Sequence, residues 1–280
     1  MGEPFIGTEA VAAGRLTPYA LRSRFVAVHR DVYISRGAEL SAISRAKAAW
    51  LWSGRAGVVA GQSAAALHGA KWVDAAAPAE LLHPNRRPPP GIRTWSDRVE
   101  DDEVHVIGGI AVTNPARTAL DIARRYEVDR AVTALDALAR ATRLKSADVE
   151  LLAERYCGRR GIRAAATAID LMDPGAESPQ ETRIRLLLIR AGFPRPETQI
   201  PVYDEWGQRV AVLDMGWRDA MVGVDYEGRH HWSTRRDFGR GIRRHDTVTG
   251  LGWIDVRVTA EDTDASIVDW VRQARARRNC

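Results

Sequence analysis

Val222-Gly223-Val224-Asp225-Tyr226-Glu227-Gly228 is an apolar run that turns acidic at its end. Just before it, Val210-Ala211-Val212-Leu213-Asp214 does the same. Residues two apart on a strand point to one face, so Asp225 and Glu227 share a side. If the two strands form a hairpin, Asp214 lies beside them and three carboxylates meet. Like charges that close raise one another's pKa and call for a cation. Oxygen-only ligands select a hard ion, Mg²⁺ or Mn²⁺. Taken singly, each acid is equally a solvated strand end paired with one of the many arginines. Embedded together in apolar strands, Asp214, Asp225 and Glu227 point to a site.

Working outward, Pro179 to Ala191 is amphipathic, with Ile184, Leu187, Leu188 and Ala191 on one face, and it carries Glu181 as a fourth carboxylate. Gln199–Tyr203, Arg209–Leu213, Met221–Tyr226 and Trp253–Val258 read as strands, Arg235–Leu251 and Ala265–Arg277 as helices. After Gly228 come Arg229, His230 and His231. Histidine serves as general acid or base near neutral pH, and adjacent residues on a strand point oppositely, so one of the pair faces the acids. On the next helix Arg236, Arg240 and Arg243 or Arg244 share a face; with Arg229 they are candidates to hold a phosphate backbone, or else a solvated helix face.

Asp173-Pro174-Gly175 stops the preceding helix and marks a boundary. Before it, Glu9–Ala13 and Thr17–Ser23 are helix-like, and Phe25 to Ile34 alternates around His29-Arg30-Asp31 as a hairpin, the order of a winged helix. Ser41–Trp52 and Ser63–Leu67 follow as helices. After the Pro-rich loop Pro84–Pro90, strand-like Val104–Ile107 and Ile110–Val112 precede helices at Pro115–Arg125, Arg130–Ala141, Ala147–Tyr156 and Gly161–Met172. The expected domains are 1–75, 76–173 and 174–280, in an α/β (α+β overall) fold.

The 280 residues carry a formal charge of +5, almost all of it arginine, with lysine only at Lys47, Lys71 and Lys145. Arginine suits phosphate and base-edge contacts, although a GC-rich genome produces the same bias. Cys157 and Cys280 have no CxxC neighbour, which argues against zinc or a disulfide framework. No apolar run approaches the roughly 20 residues that span a bilayer, and Met1-Gly2-Glu3-Pro4-Phe5 lacks the layout of a secretory signal. A cytoplasmic protein without a membrane partner is expected.

Two resemblances enter here. Ser178-Pro179-Gln180-Glu181-Thr182-Arg183-Ile184-Arg185, Leu187-Leu188, Ala191-Gly192-Phe193-Pro194, Gln199, Asp214, Asp225 to Gly228 with His230, Gly252-Trp253 and Val256-Arg257-Val258 resemble DUF559 domains, relatives of the Vsr endonucleases in the PD-(D/E)XK superfamily. The resemblance implies a mixed sheet flanked by helices. It implies Asp214 as central metal ligand, Glu181 as the helix carboxylate, and Asp225 and Glu227 in the (D/E)-x-K motif. Glu227 stands where that motif has lysine; Vsr-like enzymes use histidine instead, here His230 or His231. The front of the chain, through Thr17–Ile34, Gly61–Gly69 and Thr113–Asp121, resembles the winged-helix antitoxin family AbiEi. Ser63–Gly69 and Asn114–Asp121 read as fold-defining packing, with Asp121 capping its helix or paired to Arg117 or Arg125.

The expected function is a Mg²⁺-dependent endonuclease that hydrolyses phosphodiester bonds of DNA ahead of RNA. The alternatives are a non-catalytic, antitoxin-like DNA-binding regulator and an RNA-directed nuclease.

Overall fold

A computed structural model describes residues 2–228 and 244–278. Its fold is α/β, and the chain divides into two compact units, Met1–Met172 and Asp173–Cys280. Among the described residues no helix is long and apolar enough to cross a membrane.

The first unit opens with strand β1 (Phe5–Ile6), helices α1 (Gly7–Ala12) and α2 (Pro18–Arg24), and the hairpin β2 (Phe25–His29) and β3 (Val32–Ser35). The three strands form one sheet in the order β1-β3-β2. Thr17 caps α2 by accepting the Ala20 N–H at 3.1 Å, with Pro18 in the first turn. The other end of α2 is held by Arg36, whose guanidinium donates to the carbonyls of Arg22, Ser23 and Phe25. A cation there complements the helix dipole and satisfies its last carbonyls.

Helix α3 (Ala42–Trp52), β4 (Val58–Val59), α4 (Gly61–Leu67), β5 (Ala79–Leu82), β6 (Ile92–Trp95), β7 (Val104–Ile107) and β8 (Ile110–Thr113) follow. Their strands make a five-stranded mixed sheet, β6-β5-β4-β8-β7. Small side chains (Ala46, Ala49, Ala64) let α3 and α4 approach Val59, Leu81 and Val112 closely. Helices α5 (Pro115–Arg125), α6 (Val128–Thr142), α7 (Ser146–Glu154) and α8 (Ile162–Asp170) complete the unit.

The second unit runs α9 (Pro179–Arg190), β9 (Glu197–Tyr203), β10 (Arg209–Trp217), β11 (Val222–Glu227), helix α10 (described over 244–250), β12 (Ile254–Thr259) and α11 (Asp264–Ala276). The sheet order is β12-β11-β10-β9, antiparallel except for the parallel pair β11–β12. It is the mixed sheet flanked by helices expected from the sequence. Ile184 and Leu188 of α9 and Ile267 and Val271 of α11 pack on Val222, Val224 and Met215. Gly223 lies on the opposite face: a Cβ there would come within 2.7 Å of Leu213. Leu213 packs with Ile200, Val202 and Val248 of α10. Strand β10 therefore sends Leu213 and Met215, residues of one parity, to different helices, and Asp214 sits at the change.

Candidate functional site

Asp214 and Asp225 come together where a ladder ends. Strands β10 and β11 pair through Trp217–Val222, Gly216–Gly223 and Met215–Val224. One residue further, carboxylates replace the backbone. Asp214 N–H donates to Asp225 Oδ1 at 2.8 Å, and Tyr226 N–H donates to Asp214 Oδ2 at 2.7 Å. Burial, then the charges of Asp225 and Glu181, push the Asp214 carboxyl up to about 8, against the Tyr226 N–H and Arg244. Asp225 is 3% exposed, and its second oxygen is paired with Arg244, which also donates to the Val212 carbonyl. Beside them His245 Nδ1 lies 2.8 Å from Asp255 Oδ2. Asp255 is raised by burial and by Asp225, and its Oδ1 is buried with no hydrogen-bond partner among the described residues.

The remaining acids are placed differently. Glu181 caps its own helix, accepting from Glu177 N–H at 2.7 Å and the Ser178 hydroxyl at 2.8 Å, while its charge still reaches Asp214. Glu227 is paired with Arg257 of β12. Arg229, His230, His231, Arg236, Arg240 and Arg243 lie outside the described residues. His245, Asp255 and Arg257 were not singled out from the sequence as site residues; ten positions separate His245 from Asp255, and no local pattern joins them.

An all-oxygen donor set suits Mg²⁺ or Mn²⁺. Here, however, Asp225 spends both oxygens on Asp214 N–H and Arg244, Glu181 spends both on its cap, and Glu227 is held by Arg257. Among the described residues no three Asp, Glu, His or Cys side chains are disposed to hold a metal ion. In this arrangement the guanidinium of Arg244 supplies the positive charge beside Asp225.

The first unit buries its charge elsewhere. Arg117 of α5 is fully buried. Its Nε donates to Asp121 Oδ2 at 2.9 Å, and its Nη1 to Glu103 and Tyr156. The Tyr156 hydroxyl also donates to Glu103 at 2.7 Å, and Arg125 reaches Asp121 at 3.4 Å and pairs with Asp97. Asn114 caps α5 by accepting the Arg117 N–H at 2.8 Å, and Thr113 bonds to Thr118. Thr113–Asp121 is thus one hydrogen-bonded block, whose Asp121 meets both Arg117 and Arg125. At the start of α4, Glu80 accepts the Gln62 N–H at 2.8 Å and Ser63 accepts the Glu80 N–H at 3.0 Å.

Those two blocks lie within residues 55–174, which match the AbiEi antitoxin C-terminal domain. Two uncharacterized proteins of Mycobacterium tuberculosis, from strains CDC 1551 and H37Rv, are each 30% identical over 200 residues, 71% of this chain and 73% of theirs. The chain belongs with these two uncharacterized proteins, and its residues 55–174 are an AbiEi antitoxin C-terminal domain. No solved structure matches it. The AbiEi region is not at the N-terminus, as expected from the sequence, but covers the middle of the chain. The reason is in the packing: Gly61–Gly69 builds α4 on the five-stranded sheet, and Thr113–Asp121 closes the same sheet through β8 and α5.

The segment ahead of the AbiEi domain exposes a basic, aromatic surface. No residue of α2 is buried, Tyr19 is 75% exposed, and Arg22 and Arg24 lie on the same short helix. Arg30 sits at the exposed tip of the hairpin. Asp31 anchors that tip to α1 by accepting the Thr8 N–H at 3.0 Å.

Proposed function

We propose that the protein is an antitoxin-like DNA-binding regulator, the observation that carries this reading being the AbiEi antitoxin C-terminal domain at residues 55–174. The segment before it supports the same reading. Strand, helix, helix and hairpin precede the domain, and α2, pinned by Thr17 at one end and Arg36 at the other, offers Tyr19, Arg22 and Arg24 to solvent. A short rigid helix with arginines outward fits a groove of duplex DNA, where arginine contacts phosphates and the guanine edge. The hairpin carrying Arg30 is suited to the adjacent backbone.

The test is a binding titration of the purified protein with duplex DNA from upstream of its own coding sequence and with scrambled duplex, at several salt concentrations. Preferential binding to the upstream duplex supports the reading. Equal, weak binding to both removes it.

A metal-dependent nuclease is a second reading, favoured by one observation: Asp214 and Asp225 meet side by side where the β10–β11 ladder ends, with Asp225 only 3% exposed. It requires a cation to displace Arg244 from Asp225. Incubation of duplex, single-stranded and RNA substrates with Mg²⁺, Mn²⁺ or EDTA tests it. Cutting that needs metal and disappears in Asp214→Ala would establish it, and intact substrate under every condition would sink it.

A further inference from the structure

We infer that the AbiEi domain carries a second nucleic-acid site, a pocket for one unstacked nucleotide, separate from helix α2. A cavity of about 190 Å³ opens beside the loop that follows α4. Small apolar residues such as Ala65 and Ala134 line it, together with Lys71, Trp72, Gln62, Arg130 and one carboxylate, Asp74. The volume is below the roughly 300–1,000 Å³ of pockets that enclose a larger organic ligand, and it suits a single planar ring.

The lining residues are held in place. Trp72 is 62% exposed, and its backbone is left-handed, φ +65°, a conformation that is an outlier for a bulky side chain. Such strain persists only where surrounding structure imposes it. Arg45 Nε holds the loop by donating to the Ala75 carbonyl at 2.8 Å, and Asp74 ties it back on itself by accepting the Ala76 N–H at 2.8 Å. Glu80, 1% exposed, organises the opposite wall. It accepts the Gln62 N–H and the Tyr126 hydroxyl, and the Arg130 guanidinium lies over the Tyr126 ring, 4.6 Å from its centroid. Gln62 and Arg130 therefore both hang from one buried carboxylate.

The chemistry these groups share is that of a base with its phosphate. An exposed indole offers a stacking face to a base, a primary amide can read a base edge, and two cations line the same cavity, able to meet an attached phosphate. Neither Lys71 nor Arg130 is paired with a carboxylate among the described residues. A duplex keeps its bases stacked inside and cannot present one to this pocket, so the ligand is single-stranded or a free nucleotide.

The experiment uses the full chain and fluorescein-labelled ten-nucleotide strands of RNA and DNA, with the matching duplex and with AMP and inorganic phosphate as competitors. Both single strands are expected to bind, with AMP competing and phosphate alone failing. RNA binding without DNA binding would add the 2′-hydroxyl to what is recognised. Trp72→Ala should weaken single-strand binding roughly tenfold or more, the scale of one base stack removed, while leaving duplex binding unchanged. The melting temperature of Trp72→Ala is measured alongside to separate a folding defect from lost stacking, and Trp72→Phe should retain most of the affinity. The double variant K71E/R130E should lower the salt slope by about 1.4. Absence of single-strand binding, or a Trp72→Ala protein that binds as well as wild type, would overturn the proposal. Failure of the regulator reading shows separately, as loss of duplex binding or its insensitivity to Arg22→Glu.

Discussion

Asp214 and Asp225 each supply, from a side chain, the hydrogen bond that the neighbouring strand would otherwise receive from backbone: Asp214 N–H to Asp225 Oδ1 at 2.8 Å and Tyr226 N–H to Asp214 Oδ2 at 2.7 Å. The two strands separate without orphaning their N–H groups. The cost falls on Asp214, which keeps its proton to about pH 8.

That cost sets a pH dependence. An acid raised in the fold above its unfolded value of about 3.9 holds a proton that the unfolded chain has lost. Stability therefore falls as pH rises between about 4 and 8, and the full penalty is present above that window. Asp214→Asn should remove the slope and gain on the order of 1–3 kcal/mol over wild type at pH 8 relative to pH 4.5. Parallel denaturant melts at the two pH values check this, and identical slopes would count against the shift.

Arg117 neutralises Glu103 and Asp121 in a fully buried cluster. Arg117→Met should destabilise the chain by about 3–5 kcal/mol, because both buried carboxylates lose the cation nearest to them. Tyr156→Phe removes hydrogen bonds only and should cost about 1 kcal/mol. Urea unfolding of the two variants separates an ionic hub from simple packing.

Gly61 has φ +53°, and a Cβ there would meet the Glu80 carboxylate at 2.2 Å. Gly61→Ala should destabilise by more than about 1 kcal/mol and loosen Gln62 and Tyr126, the two groups Glu80 holds. Thermal melting reads the first effect, and faster amide exchange at Gln62 the second.

If α2 lies against DNA, Arg22→Ala and Arg24→Ala should weaken duplex binding similarly on every sequence. Removing one arginine from a phosphate should lower the slope of log K against log salt by about one. An unchanged slope would place the phosphate-binding surface elsewhere.

Periodicity carried much of the architecture. The spacing of Ile184, Leu187 and Leu188 identified α9, and all three face the second unit's core. The runs Val104–Ile107 and Ile110–Val112 identified strands β7 and β8, which the structure pairs as an antiparallel hairpin. The pairing of Asp121 with Arg117 was legible because four residues make about one helical turn. Strand β10 runs on to Trp217, past the expected Leu213, because its second half pairs with both β9 and β11. The antitoxin region was placed too far toward the N-terminus: of the segments read for it, Thr17–Ile34 lies ahead of residues 55–174, whereas Gly61–Gly69 and Thr113–Asp121 lie within them and are joined to the sheet by bonds between distant segments.

By itself, the sequence determined which residues are apolar at which period, hence the helices, the strands and the α/β class. It also put Asp214, Asp225 and Glu227 in the same neighbourhood. Only the tertiary structure decided what neutralises them. Arg244 arrives at Asp225 from a helix nineteen residues away in sequence, Arg257 reaches Glu227 from a parallel neighbour, and His245 finds Asp255 across a helix–strand step. Local pattern follows from the geometry of one element, which repeats every two or 3.6 residues. A charge's partner depends on which elements pack together, and that is set by burial across the whole unit.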